Sequence, residues 1–299
     1  MKEKTINYAI TGHKGLIGEY LKKSLDANKY RCVLSIDQKE GFNVLDLLFK
    51  ETEVKDRIDI FFHFAAQCKI NESIARPELP HKNNADGIFS VLEFCKKYKI
   101  PKIVVASTSR VLSKERNPYV ASKIYVEELT KAYHDCYGMD YLIIRPSTVY
   151  GPMFDETSRL INNFITSAFK GKDLQVYGDK NKTLDFTYVE DFVDGVLLTL
   201  KGPWNKEYNI SGNQEMKIYD VAREIIKQVK SKSKIVFMPP EKAQPQNVKI
   251  DTLELQKLGY KPKIDMKEGV GRMVEWYKLN TWAINKYSDK GLKYYKKQK

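Results

Sequence analysis

Cysteine is scarce in this chain, and Cys32, Cys68, Cys95 and Cys136 fall in no metal-ligand spacing. This argues against a disulfide-stapled scaffold or a cysteine-based metal motif and fits a reducing, cytoplasmic setting. Cys32 and Cys95 lie in apolar runs and are expected to be buried thiols. Long apolar stretches are also missing. Nothing approaches the ~18 consecutive apolar residues of a transmembrane helix, and Met1-Lys2-Glu3-Lys4 lacks a signal-peptide core. There is no internal repeat and no low-complexity linker, which argues against a repeat array. What 299 residues at 42% hydrophobic content do supply is a core for one large domain, or a large and a small one.

Acidic side chains run short in only one part of the chain. The net charge is +13, and residues 201–299 hold 22 basic against 11 acidic side chains. A positive lid built from this part would attract a nucleotide diphosphate. The tail from Lys278 to Lys299 interleaves lysines with Trp282, Tyr287, Tyr294 and Tyr295, a composition that suits nucleic acid or an anionic membrane surface. An amphipathic C-terminal helix with a solvated lysine face is the simpler reading. A nucleic-acid partner is therefore not expected.

Ile6-Asn7-Tyr8-Ala9-Ile10 reads as a first strand, followed directly by Thr11-Gly12-His13-Lys14-Gly15-Leu16-Ile17-Gly18 and then by helical spacing from Glu19 to Leu25. A strand, a glycine-rich turn and a helix seat a pyrophosphate on exposed amides, at a helix end carrying roughly +0.5 charge. Gly12, Gly15, Leu16, Ile17 and Gly18 are thus candidate cofactor residues. A second strand, Cys32–Ile36, ends at Asp37. An acid there accepts from the adenosine ribose hydroxyls and repels a 2′-phosphate, which favours NAD over NADP.

Further strands are read at Ile58–Phe64, Lys102–Ser107 and Tyr141–Arg145, with helices at Ala85–Tyr98 and Pro118–Tyr137. Alternation of this kind predicts an α/β fold with a Rossmann-type, doubly wound parallel sheet covered on both faces. After residue 151 the pattern becomes irregular, which suggests a smaller C-terminal α+β substrate domain over 152–299, with segments near 184–212 returning to the first domain. Tyr119 and Lys123 stand four apart on the second helix and so share a face. A phenol of pKa ~10 is a poor base at neutral pH, and a nearby ammonium with an oxidised nicotinamide would favour the phenolate.

Taken with their order, these segments resemble the extended short-chain dehydrogenase/reductase family, the NAD-dependent sugar-nucleotide epimerases and dehydratases. Asn43-Val44-Leu45-Asp46-Leu47 resembles its adenine-contacting segment, with Asp46 at the acid. Phe62-His63-Phe64-Ala65-Ala66 is similar to its His-x-Ala-Ala strand end, and Asn83-Asn84-Ala85-Asp86-Gly87 to its Asn-x-x-Gly helix start. Thr108 falls at the catalytic Ser/Thr. Arg145 to Pro152, and Tyr177-Gly178-Asp179 through Asp191, resemble the later signatures. The resemblance implies catalysis by Thr108, Tyr119 and Lys123. It implies cofactor contacts by Asp37, Asp46, Ala65, Ala66, Asn84, Tyr119 and Lys123 besides the glycine loop. Substrate contacts would fall to Thr108, Ser109, Thr148 and Tyr177; no metal is implied.

Four departures from the family pattern stand out. Ser109 and Arg110 replace the Asp-Glu pair that dehydratases need to eliminate water. The segment from Thr108 to Tyr119 is short, Thr148 replaces an asparagine, and Leu184 replaces an arginine, with no arginine in 241–250. Leucine cannot bind phosphate as arginine does; Lys180, Lys182, Lys242 or Lys249 would have to compensate. The expected activity is an NAD-dependent sugar-nucleotide epimerase, acting at C4 through a transient keto intermediate. The alternatives are an NAD(P)H-dependent reductase of a nucleotide-linked 4-keto sugar, and a non-catalytic nucleotide-sensing or nucleic-acid-binding member of the fold. Apolar residues on both long helices imply a homodimer through a four-helix bundle, as in the family.

Overall fold

A computed structural model describes residues 5–49, 52–154, 159–244 and 250–286. Lys249 and most of the lysine-rich tail, including Tyr287, Tyr294 and Tyr295, lie outside the described residues. The first half of the chain contributes β1 (Ile6–Thr11), β2 (Tyr30–Ile36), β3 (Ile60–His63), β4 (Lys102–Ala106) and β5 (Asp140–Pro146). With a later strand, β9 (Lys206–Ile210), they form one parallel sheet in the order β2-β1-β3-β4-β5-β9.

Successive side chains of a strand point to opposite faces, so a sheet covered on both faces must be apolar throughout. The central strands obey this rule. Ile60, Phe62, Val104, Leu142 and Ile144 pack to one side, against α1 (Leu16–Asp26) and α8 (Val189–Thr199). Phe61, Ile103, Val105, Tyr141 and Ile143 pack to the other, against α5 (Gly87–Lys97) and α6 (Pro118–Tyr137). The two long helices begin for different reasons. Asn117 caps α6, its side chain accepting from the Val120 amide at 3.0 Å, with Pro118 in the first turn.

The other expected helix departs from regularity. Between β2 and α5 the chain runs through α2 (Asp46–Phe49), α3 (Ile70–Ala75) and α4 (Glu78–Pro80), then a π-helical turn at His81–Asp86. Residues 85 and 86, expected to open the α-helix, belong to that turn instead. Its buried Asn84 accepts from the Gln67 amide at 2.8 Å and donates to the Gln67 carbonyl at 3.0 Å and Ser122 Oγ at 2.9 Å.

The remaining elements sit beyond the sheet's carboxyl edge and on the first apolar side. β6 (Thr148–Tyr150), β8 (Thr183–Tyr188) and β10 (Gln214–Lys217) make a three-stranded sheet, and β7 (Leu174–Tyr177) pairs with β11 (Ile235–Met238). They pack with α7 (Leu160–Phe169), α9 (Ile218–Val229), α10 (Leu253–Gln256), α11 (Met266–Leu279) and α12 (Thr281–Lys286). Within 184–212, α8 and β9 join the large sheet while β8 pairs with β6 and β10. Among the described residues no helix is long and apolar enough to cross a membrane.

Candidate active site

In an open parallel sheet a ligand lodges outside the carboxyl ends of the strands, where neighbouring strands diverge. Here that crevice lies between β1 and β3. Gly12 follows β1 with φ +78°, and a Cβ on it would come within 2.6 Å of the Ala65 amide nitrogen just past β3. A Cβ on Gly18 would lie 2.1 Å from the Gly12 carbonyl oxygen. Only glycine lets the loop, the strand end and α1 approach this closely. Gly15 caps α1, so the amides of Leu16, Ile17 and Gly18 face the loop without helical acceptors. The cradle fits a dinucleotide pyrophosphate.

Hydrogen bonds hold this cradle rigid. Asp37 accepts from the Lys14 and Lys39 amides, both at 2.9 Å, so it braces the glycine loop against the turn after β2. Each carboxylate oxygen keeps a further lone pair for a ribose hydroxyl. Asp46 accepts from the Asn43 amide at 3.0 Å. Ala66 is exposed and Ala65 half-buried beside the loop. Thr11 Oγ1 accepts from the Ala65 amide at 3.3 Å and meets His63 Nδ1 at 2.8 Å. Burial, with the Lys123 charge adding to it, pushes His63 down to about 3, so it stays neutral. Asn84 is 1% exposed and its amide is taken up by Gln67 and Ser122, so it braces the neighbouring loop.

At the end of β4, three consecutive residues meet three consecutive turns of α6. Thr108 lies close enough to the Tyr119 hydroxyl to favour its phenolate. The Ala106 carbonyl accepts from Lys123 Nζ at 2.8 Å. Ser107 Oγ donates to Glu127, which also binds Arg145 through both carboxylate oxygens. Tyr119, Lys123 and Glu127 recur every four residues, so one helix face carries all three. All are buried.

The electrostatics differ from expectation in one respect. Burial pushes the Tyr119 phenol up to about 12, because it packs with Ile70 and Val120. The groups pulling it back are the Thr108 hydroxyl and the Arg110 and Arg159 charges. Lys123 was expected to do this. It is instead pushed down to about 8 by its own burial, against the opposing influence of Cys68 and Glu127.

The substrate side of the cleft is assembled from distant segments. Thr108 Oγ1 also accepts from the Arg110 amide at 3.3 Å, starting a short 3₁₀ turn over Ser109–Leu112 that packs on α6. Asn71 donates to Glu241, Gln244 donates to Asn71 at 2.9 Å, and Asn117 donates to the Ala243 carbonyl at 3.0 Å. The 241–244 segment is thereby tied across the cleft to α3 and to the cap of α6. Tyr177 at the end of β7 lies within electrostatic reach of Glu241. Thr148 opens β6, paired in register with Phe186. Leu184 packs on the apolar core. Of the lysines expected to stand in for an arginine, Lys182 is half-buried near Glu241 and Arg110, while Lys180 and Lys242 are exposed.

Sequence reasoning passed over Glu127, Asn117, Arg159 and Glu241 as site residues, and saw Arg110 only as a departure. The 119, 123, 127 spacing was the available signal for Glu127. Nothing local in sequence foretells that Glu241 comes within electrostatic reach of Arg110.

A profile described as the NAD dependent epimerase/dehydratase family matches residues 8–211. A Methanocaldococcus jannaschii protein provisionally named a UDP-glucose 4-epimerase is 30% identical, covering 91% of this chain and 98% of its own. A UDP-glucuronate 4-epimerase of Thermodesulfobacterium geofontis is 27% identical over 88% of this chain and 83% of its own. In fold, the chain superposes on the Thermotoga maritima UDP-glucose 4-epimerase solved with UDP-glucose, with TM-score 0.85 and 22% identity over 92% of this chain and 100% of that one. With the glycine cradle between β1 and β3 and the buried Thr108, Tyr119 and Lys123 beside it, these likenesses place the chain in the NAD-dependent epimerase/dehydratase family, whose members are enzymes.

Proposed function

We propose that this protein is a sugar-nucleotide epimerase that inverts C4 of a nucleotide-linked hexose through a transient keto intermediate. The observation that carries the reading is the convergence of Thr108, Tyr119 and Lys123 at the end of β4, next to the glycine cradle. Gly12, Gly15 and the first-turn amides of α1 would hold the cofactor pyrophosphate, with Asp37 on the adenosine ribose and Lys123 on the nicotinamide ribose. NAD, when bound, supplies an acceptor for the C4 hydride and returns it. As the phenolate, which the Arg110 and Arg159 charges and a bound nicotinamide cation would favour against burial, Tyr119 takes the proton of the C4 hydroxyl and later gives it back, and Thr108 hydrogen-bonds the same oxygen as its charge develops.

Ser109 and Arg110 offer no carboxylate where elimination of water would need one, which separates this chain from the dehydratases. Purified protein, supplied in turn with UDP-, dTDP-, GDP- and CDP-sugars, is expected to yield a C4 epimer of one of them without consuming added reductant. Stoichiometric NADPH oxidation with a keto sugar, and no epimer, would establish a reductase instead.

The four unpaired cysteines are consistent with a cytoplasmic setting. We also assign a homodimer. Phe89 on α5 and Tyr125 and Tyr137 on α6 stay 40%, 44% and 55% exposed on adjoining helices. Two copies related by a two-fold axis would cover this face. A monomeric mass by light scattering at micromolar concentration would overturn it.

A further inference from the structure

Around Asp37 lies a layer of charge that the cofactor contacts described above leave unused. Asp37 caps the short 3₁₀ turn Gln38–Glu40, and that turn brings Glu40 against the glycine loop. Glu40 Oε1 pairs with Lys14 Nζ at 2.8 Å, and Glu40 Oε2 meets His13 Nε2 at 3.0 Å. His13 is 5% exposed, so a buried imidazole fixes one carboxylate oxygen while the other reaches an exposed lysine. Lys39 Nζ donates to the Lys14 carbonyl at 3.3 Å, on the same loop. Lys14 and Lys39 are also the two residues whose amides Asp37 accepts.

Two ammoniums and two carboxylates thus border the place where the adenosine ribose would meet Asp37, which rests on the ribose assignment proposed above. A 2′-phosphate on that ribose would carry close to two negative charges and would need cations beside it. Lys14 and Lys39 by themselves would offset the repulsion from a lone Asp37. Glu40 restores the balance, and it does so by engaging the ammonium of a residue bonded directly to Asp37. Exposed ion pairs are weak partly because two long side chains must be immobilised to form them. Here His13 already holds Glu40, so only the lysine remains to be ordered. Their mutual hydrogen bond is the largest influence keeping Lys14 above its usual range and Glu40 below its own.

We propose that Glu40 is a specificity-determining residue of the cofactor site: anchored by His13, it occupies the Lys14 ammonium and so keeps the site selective for NAD over NADP. Asp37 acts on a 2′-phosphate by repulsion, whereas Glu40 withholds the cation that would bind it. Released from Glu40, Lys14 has three N–H donors to offer the phosphate. NAD presents only a hydroxyl at that carbon and gains little from the release.

The test is equilibrium binding of NAD and of NADP, with no sugar nucleotide present, to wild type, Glu40→Gln, Glu40→Gln/Lys14→Met and Asp37→Asn. Glutamine keeps an acceptor for His13 Nε2 and removes the charge, so the loop stays anchored. The ratio of the NADP to the NAD dissociation constant should fall about 5- to 10-fold in Glu40→Gln, through tighter NADP rather than weaker NAD. Adding Lys14→Met should return the ratio close to its wild-type value. An unchanged ratio in Glu40→Gln overturns the proposal, as does an equal loss of both cofactors, which marks a structural role. A gain in NADP affinity that survives Lys14→Met overturns it too, because Glu40 is then a repulsive charge and nothing more. Asp37→Asn tests the ribose assignment separately. A ratio unmoved by Asp37→Asn, with the Glu40 and Lys14 effects intact, removes that assignment and leaves the clamp; the reverse pattern removes the clamp alone. Neither result depends on the epimerase reading.

Discussion

Tyr119→Phe is expected to lower turnover by at least the ~10²-fold that a general acid/base contributes, with the fold and NAD affinity nearly unchanged. The substitution removes one hydroxyl from a buried ring and leaves the Ile70 and Val120 contacts in place. In the proposed mechanism the cofactor contact falls to Lys123, so the two substitutions should separate. Lys123→Met should weaken NAD binding as well as turnover. In the wild type Lys123 holds its proton only below about 8. NAD affinity should accordingly fall as pH rises through that value and be independent of pH there in Lys123→Met. Isothermal titration with NAD from pH 6 to 10, beside turnover of the responding substrate, checks both. Wild-type turnover in Tyr119→Phe would remove the phenol from the mechanism.

Much of this site was legible because its signals are local. A glycine turn between a strand and a helix, an acid after the second strand, and a tyrosine and lysine one helical turn apart need only spacing to be read. The central strands were legible for the same reason, being continuous apolar runs such as Ile103-Val104-Val105 with both faces buried. What escaped depends on chain segments far apart in sequence. Strands of three to six residues, β6 at Thr148–Tyr150, β8 and β10, pair across long separations and carry no periodicity of their own. The electrostatic role given to Lys123 also changed. Spacing puts it on the tyrosine's helix face, but the acceptor it finds is the Ala106 carbonyl, contributed by the neighbouring strand. Arg110 and Arg159 then act on the phenol in its place.

The largest structural effect should come from Glu127, which touches neither proposed ligand. Glu127 is 4% exposed, and its carboxylate takes Arg145 Nε at 2.8 Å, a second Arg145 nitrogen, and the Ser107 hydroxyl. Removing one partner of a buried pair leaves the other charge uncompensated, a cost of about 3–5 kcal/mol. For a chain of this size Glu127→Ala should therefore unfold about 10 °C below the wild type. Replacing both partners by methionine should recover most of that loss, because the unpaired charge is gone. The double variant should remain impaired all the same. Ser107 is the middle rung between Ala106, which accepts from Lys123, and Thr108, which lies beside Tyr119, so its release loosens both. Glu127 also supports the Lys123 ammonium against burial, with Cys68 acting in the same sense. Without it the lysine loses its proton at lower pH, and the alkaline loss of NAD affinity should move downward. A merely structural role for Glu127 would leave that limb where it is once stability is restored. Thermal melts and pH-dependent NAD titrations of the two variants decide between the two.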